Sequence, residues 1–71
     1  MIYFNGWFVD PKNKNHIYLD ENGRIAASYY NYNQCPIEFI SDKEMRVWMN
    51  NKGFRKMTEV ELAKFYLVIE R

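Results

Sequence analysis

The sequence predicts an α+β fold: a three-stranded antiparallel β-sheet followed by two C-terminal α-helices packed on one face of the sheet. Two segments in the first half of the chain, IYFNGWFVD and HIYLDENGRIAASYY, have the alternation of strands, and the second contains the hairpin signal Asn22-Gly23. Two helix N-terminal signals follow, at Ser41 and Thr58. A chain of 71 residues can build one core, so we expect residues 1–71 to form a single small domain.

The first strand is expected in IYFNGWFVD, which is rich in β-forming residues. It ends at Asp10-Pro11, because proline cannot donate a hydrogen bond to a strand ladder. The next residues, PKNKN, are expected to form an exposed loop.

The second and third strands form a hairpin for which two registers are open. A two-residue loop would pair Leu19 with Ala26, whereas a three-residue loop would pair Leu19 with Ile25 and Ile17 with Ala27. The three-residue loop separates apolar from polar side chains, and we predict it for that reason. It places one apolar set on a single face: Ile17, Leu19, Ile25, Ala27 and Tyr29.

The first helix is predicted to begin at a capping box formed by Ser41 and Glu44. Ile40 and Met45 flank this box at the spacing of a hydrophobic staple. Its predicted apolar stripe consists of Met45, Trp48 and Met49.

The first helix should end at Gly53, which can adopt the left-handed conformation that closes a helix. Phe54 is then placed to pack on Met49. Before the helix, the segment Pro36–Ile40 is either an extended link or a short fourth strand.

The second helix has the same kind of start, with a capping box at Thr58 and Glu61 and a staple between Met57 and Leu62. The end of this segment, Phe65–Ile69, also alternates well enough to be a strand, so both structures remain open there. As a helix it would present an apolar stripe of Leu62, Phe65, Tyr66 and Ile69.

Composition excludes several classes of protein. The formal net charge is +1, so no long-range field attracts nucleic acid or an anionic membrane. Cys35 is the only cysteine, which excludes an internal disulfide and favours a reducing, cytoplasmic location. The N-terminus does not read as a signal peptide, and no apolar run is long enough for a membrane helix. The abundance of Asn, Lys, Tyr, Ile and Phe favours a low-GC bacterium or its phage as the source.

Catalytic signals are weak throughout the sequence. His16 and Cys35 are the only residues that could make a nucleophilic dyad, and each has a simpler structural interpretation. The acidic residues at the two helix starts are explained by capping. There is no glycine-rich phosphate loop and no group of residues at metal-ligand spacing. We therefore expect no enzyme, no cofactor, no metal and no small-molecule substrate.

The aromatic residues suggest a binding role instead. If both helices cover one face of the sheet, alternation leaves an uncovered aromatic face. We predict that this face binds protein through Tyr3, Trp7, Tyr18, Tyr30 and Tyr32. The expected function is a small protein–protein interaction module of phage or mobile-element origin that inhibits or modulates a host protein or associates with itself.

An alternative function is nucleic-acid binding. The turn between the helices is basic, with Lys52, Arg55 and Lys56 around a phenylalanine, and tyrosines can form a stacking platform for single strands. Nucleic-acid platforms normally carry more positive charge along the backbone path than this sheet does. Charge therefore favours a protein partner.

Overall fold

The computed structural model describes residues 5–70 and confirms the α+β class. An antiparallel sheet precedes two helices, and its strand order is β4-β3-β2-β1-β5. The sheet has five strands rather than three, because two-residue strands are added at both edges. The elements are β1 (Gly6–Asp10), β2 (Asn15–Leu19), β3 (Ile25–Tyr30), β4 (Asn33–Gln34), α1 (Asp42–Lys52), β5 (Arg55–Lys56) and α2 (Glu59–Ile69).

Helix α1 packs on the side of the sheet that carries Ile17 and Leu19, which we call the α1 face. Met45 and Met49 of α1 form a buried cluster with these two residues. The i, i+4 spacing of the two methionines follows from the 3.6-residue period of a helix. Partly buried side chains complete this cluster: Phe8, Ile25, Ile37, Phe39, Trp48 and Phe54.

Helix α2 packs on the opposite side, which we call the α2 face. The Phe65 side chain is 1% exposed, and its ring centroid lies 4.8 Å from that of Trp7 and 4.5 Å from that of His16. Neighbouring strand residues point to opposite sides, so Trp7 and Phe8 cannot share a face. The two helices therefore cover both faces of the sheet, in contrast to the expectation that both pack on one face.

The hairpin loop has the predicted register at its base. Leu19 pairs with Ile25, and the Asp20 N–H donates a hydrogen bond to the Arg24 carbonyl at 2.9 Å. Gly23 has φ 77°, the left-handed conformation that this three-residue loop requires. The three-residue loop is therefore confirmed.

The register predicted beyond the loop is wrong, because a β-bulge interrupts the hairpin. Ala27 pairs with Tyr18 rather than with Ile17, which leaves Ala26 as the extra residue. One inserted residue reverses the side on which every later residue of the strand points. Tyr29 accordingly lies on the α2 face, where its ring contacts those of Trp7 and Phe65.

β4 is formed by a second, tighter turn that the sequence analysis did not predict. Asn31 and Tyr32 have φ 49° and 67°, the two positive values of a type I′ hairpin turn. Tyr30 then pairs with Asn33. The following segment, Pro36–Ile40, has no strand pairing, so the extended link is the correct alternative.

The start of α1 matches the prediction only in part. The Ser41 hydroxyl accepts a hydrogen bond from the Glu44 N–H at 3.2 Å, as a helix cap should. The predicted staple is wrong, because Ile40 is 94% exposed while Met45 is buried. Phe39, one residue before Ile40, packs against the core beneath α1 instead.

The remaining helix ends follow the prediction. Gly53 has φ 76°, and its N–H points to carbonyls in the last turn of α1. Thr58 and Glu61 form a complete capping box. Phe65–Ile69 is helical, which settles the ambiguity left by the sequence. Within residues 5–70, neither helix has the length and apolar character needed to cross a membrane.

Replacing Phe65 by alanine should remove the main contact between α2 and the sheet. We expect Phe65→Ala to lower the free energy of unfolding by about 3–5 kcal/mol, because a buried ring is lost and a cavity remains. Urea denaturation followed by circular dichroism measures this change. Leu67→Ala, on the exposed side of the same helix, is the matched control and should stay within about 0.5 kcal/mol of the parent. Equal losses in the two variants would contradict the buried position of Phe65.

Candidate protein-binding surface

The first turn of α2 is fixed by a group of charged hydrogen bonds. The Arg55 guanidinium donates to both carboxylate oxygens of Glu61, at 2.7 and 2.8 Å. The Thr58 N–H donates to the same carboxylate at 3.0 Å. These donors, Arg55 first, lower the pKa of Glu61 to about 2. The arrangement joins β5 to α2 and sets where the helix begins.

Hydrogen bonds also join α2 and the chain before it to β1. The Trp7 Nε1–H donates to the Tyr66 hydroxyl at 2.8 Å, and the Met57 N–H donates to the Trp7 carbonyl at 3.1 Å. Phe65, which lies between Met57 and Tyr66 in the sequence, packs on Trp7 of the same strand. The rotation of α2 about its own axis is therefore set, and so is the side that faces outward.

The outward side of α2 is apolar. Val60 is 65% exposed and Leu67 is 71% exposed, with the exposed Ala63 between them. We call these three residues the outer stripe. Val68 beside them is 42% exposed. A surface helix usually has one apolar side that faces the core, whereas α2 has apolar side chains on its inner and on its outer side.

The polarity of α1 offers an internal comparison. Both helices have eleven residues and each covers one face of the same sheet. The exposed residues of α1 are polar or charged except for Val47. On α2 the exposed charged residues are only Glu59 and Lys64 among the eleven. An apolar outer side is therefore found on α2 and not on α1, although both helices cover the same sheet.

The predicted aromatic face is not uncovered. Trp7 and Tyr18 do share a side, with their rings edge to face at 5.4 Å, but this is the α2 face. Both side chains are half-buried, because α2 packs over this region. Tyr3 lies outside the described residues.

The other two predicted tyrosines lie elsewhere. Tyr30 follows Tyr29 in the strand and therefore points to the α1 face, where it is 55% exposed. Tyr32 lies in the type I′ turn, and its ring centroid is 5.4 Å from that of His16. The bulge in β3 separates residues that an unbroken strand would have placed together. The described members of the predicted set thus form no single exposed surface, and their role in binding remains a prediction.

The basic turn predicted as a nucleic-acid site is partly occupied by internal contacts. Arg55 is paired with Glu61, and the Lys56 ammonium lies 5.9 Å from the centre of the Phe8 ring. Lys52 is exposed in the last turn of α1. A guanidinium already bound to a carboxylate is less available to a phosphate. Nucleic-acid binding by this turn remains a prediction.

His16 and Cys35 have separate surroundings. Cys35 lines a recess of about 500 Å³ along the outer edge of β3, and both its backbone groups bond to Ser28. His16 stacks on Phe65 under α2. Within residues 5–70, no three His, Cys, Asp or Glu side chains come together in a group that could hold a metal ion.

Sequence reasoning missed the outer stripe. The predicted stripe of the second helix consists of Leu62, Phe65, Tyr66 and Ile69, and it gives no role to the other apolar residues of α2. A second apolar series at i, i+3 and i+7 runs through Val60, Ala63 and Leu67. This series is the signal in the sequence from which an exposed apolar side of α2 could have been predicted.

His16 is the buried titratable group beneath α2. Its side chain is 6% exposed, and Nδ1 has no hydrogen-bond partner within the described residues. Burial lowers the pKa of His16 below 6.5, while the Lys14 backbone and the Glu61 carboxylate act in the opposite direction. The folded state therefore holds a neutral imidazole between aromatic rings.

Stability should consequently fall as the pH drops through the titration of His16. Below its ordinary pKa of 6.5 the unfolded chain takes up a proton that the folded chain resists, so the free energy of unfolding decreases. Urea midpoints at about pH 7.5 and about pH 5.5 measure the change. His16→Phe keeps the ring stack and should remove the dependence. If this variant keeps the same pH profile, another group is responsible.

Comparisons with known proteins give no relative for this chain. No protein-family model, no curated protein and no solved structure matches it. Its function therefore has to be inferred from the arrangement of its own residues.

Proposed function

We propose that this domain is a small protein-binding module and that its contact surface is the outer side of α2. The observation that carries the proposal is the difference between the two helices: the exposed side of α1 is polar, whereas that of α2 carries Val60, Ala63 and Leu67. Contiguous exposed apolar residues on a small protein are typical of interaction sites.

The local charges favour a protein over a nucleic acid at this surface. Glu59 and Lys64 beside the outer stripe have opposite signs and are both exposed. A nucleic-acid site needs several cations that follow the phosphates. An apolar strip with balanced charges at its borders is instead typical of a helix that packs against another protein.

The size of the surface limits the kind of partner. Eleven residues of helix extend for about 16 Å, so the contact is a single short helix face. A groove or another helix matches this shape. By binding to a groove or a helix of a host protein, the outer side of α2 would inhibit or modulate that host protein. A cytoplasmic location and a phage or low-GC bacterial origin belong to this proposal.

Site-specific photo-crosslinking tests which surface meets a partner. A benzoylphenylalanine in place of Leu67 should give a discrete protein adduct in cells that make the protein. The same residue in place of Asn22, exposed in the β2–β3 loop, should not. The expected reason is that only position 67 lies in the contact, and mass spectrometry of the adduct identifies what is bound.

Competition and nuclease treatment complete this test. Unlabelled parent protein should suppress the adduct at position 67, whereas a Leu67→Lys competitor should not. Adducts that form equally at positions 67 and 22, or at neither, would overturn the proposal. An adduct that disappears after nuclease treatment would favour nucleic-acid binding.

A further inference from the structure

We infer that the partner of α2 is a second copy of this chain, packed through a parallel pair of α2 helices. This inference rests on the proposed function, because it names the partner of the same surface. It follows from the spacing of the apolar residues and from the order of the charges beside them.

The outer stripe has the spacing of a two-helix seam. Val60 and Leu67 lie one heptad apart, and Ala63 lies between them at the second seam position. The small side chain of Ala63 allows two helices to approach closely, and Val60 and Leu67 supply larger apolar side chains on either side of it. All three side chains are exposed in the single chain, so nothing within residues 5–70 occupies the seam.

The charges select the parallel arrangement. Glu59 precedes Val60 and Lys64 follows Ala63, so they border the stripe on its two sides. In a parallel pair, these flanking positions of the two helices face each other across the seam. Glu59 of one copy then lies beside Lys64 of the other, and two-fold symmetry makes this contact twice. In an antiparallel pair each flank meets itself, so Lys64 would face Lys64.

The rest of α2 is compatible with this partner. Phe65 lies on the inner side, so pairing leaves its contact with the sheet intact. Tyr66, which accepts the Trp7 hydrogen bond, is 37% exposed and borders the stripe on the same side as Glu59. Each α2 would lie between its own sheet and the second helix. A helix buried from both sides is the usual setting for an all-round apolar composition.

Sedimentation equilibrium over a range of protein concentrations tests the pairing. The parent should show a reversible monomer–dimer equilibrium, and a strictly monomeric chain at about 1 mM, the dissociation constant of a very weak complex, would overturn the inference. Leu67→Lys should weaken the dimer by about 100-fold, because symmetry places the changed residue in the contact twice. Circular dichroism should show an unchanged fold, since position 67 is exposed.

Charge reversal tests the parallel orientation. Glu59→Lys and Lys64→Glu should each weaken the dimer by about threefold to tenfold, and the double reversal should restore it. Glu21→Lys, in the β2–β3 loop, is the control for net charge and should have no effect. Thermal melts separate any loss of helix stability in Glu59→Lys from a loss of contact. Failure of the double reversal to restore dimerisation would overturn the parallel pair.

The two proposals fail in different ways. A monomeric chain whose position 67 crosslinks to another protein would overturn the second copy and leave the binding surface in place. A monomeric chain without any adduct at position 67 would overturn both. A dimer that Leu67→Lys leaves unchanged would show that the chain associates through another surface.

Discussion

The packing of α2 on the sheet depends on one side chain, Phe65, whose ring stacks on that of His16. Phe65 connects α2 to the sheet by packing against Trp7 and His16, which come from neighbouring strands. Aromatic contacts of this kind bury large areas and favour particular ring orientations. His16 stacks on Phe65 and is buried beneath α2, and this burial lowers the pKa of its imidazole. The position of α2 and the exposure of the outer stripe both follow from this contact.

Both faces of the sheet are covered, because both carry apolar side chains. Each face of the described sheet carries aromatic or aliphatic side chains, and each receives one helix of eleven residues. A chain of 71 residues has few apolar side chains to spare, so most of them serve this double packing. Apolar residues that serve neither face therefore stand out. Val60 and Leu67 are the two on α2 that are most exposed.

Local signals in the sequence predicted local structure well. The caps at Ser41 and Thr58, the left-handed Gly53 and the three-residue hairpin loop each depend on a few neighbouring residues. The bulge at Ala26 depends instead on how β3 pairs with β2 and β4, and the alternation of side chains in the sequence does not predict it. That single extra residue reverses every later side chain in β3 and moves Tyr30 away from Trp7 and Tyr18, which α2 covers. Which face of the sheet each helix covers likewise depends on long-range packing, and no short sequence motif predicts it.

Helix propensity bears on why α2 is apolar outside. Valine is a weaker helix former than alanine, lysine or glutamate, because its branched side chain loses freedom in a helix. Exposed valines at positions 60 and 68 therefore stabilise neither the helix nor the core of the single chain. On α1 the comparable positions are mostly polar, as expected where water is the only neighbour. Burial against the proposed partner would compensate for this, since each aliphatic side chain removed from water contributes about 1.5–3 kcal/mol. The proposed contact surface would therefore account for side chains that the core of one chain leaves exposed.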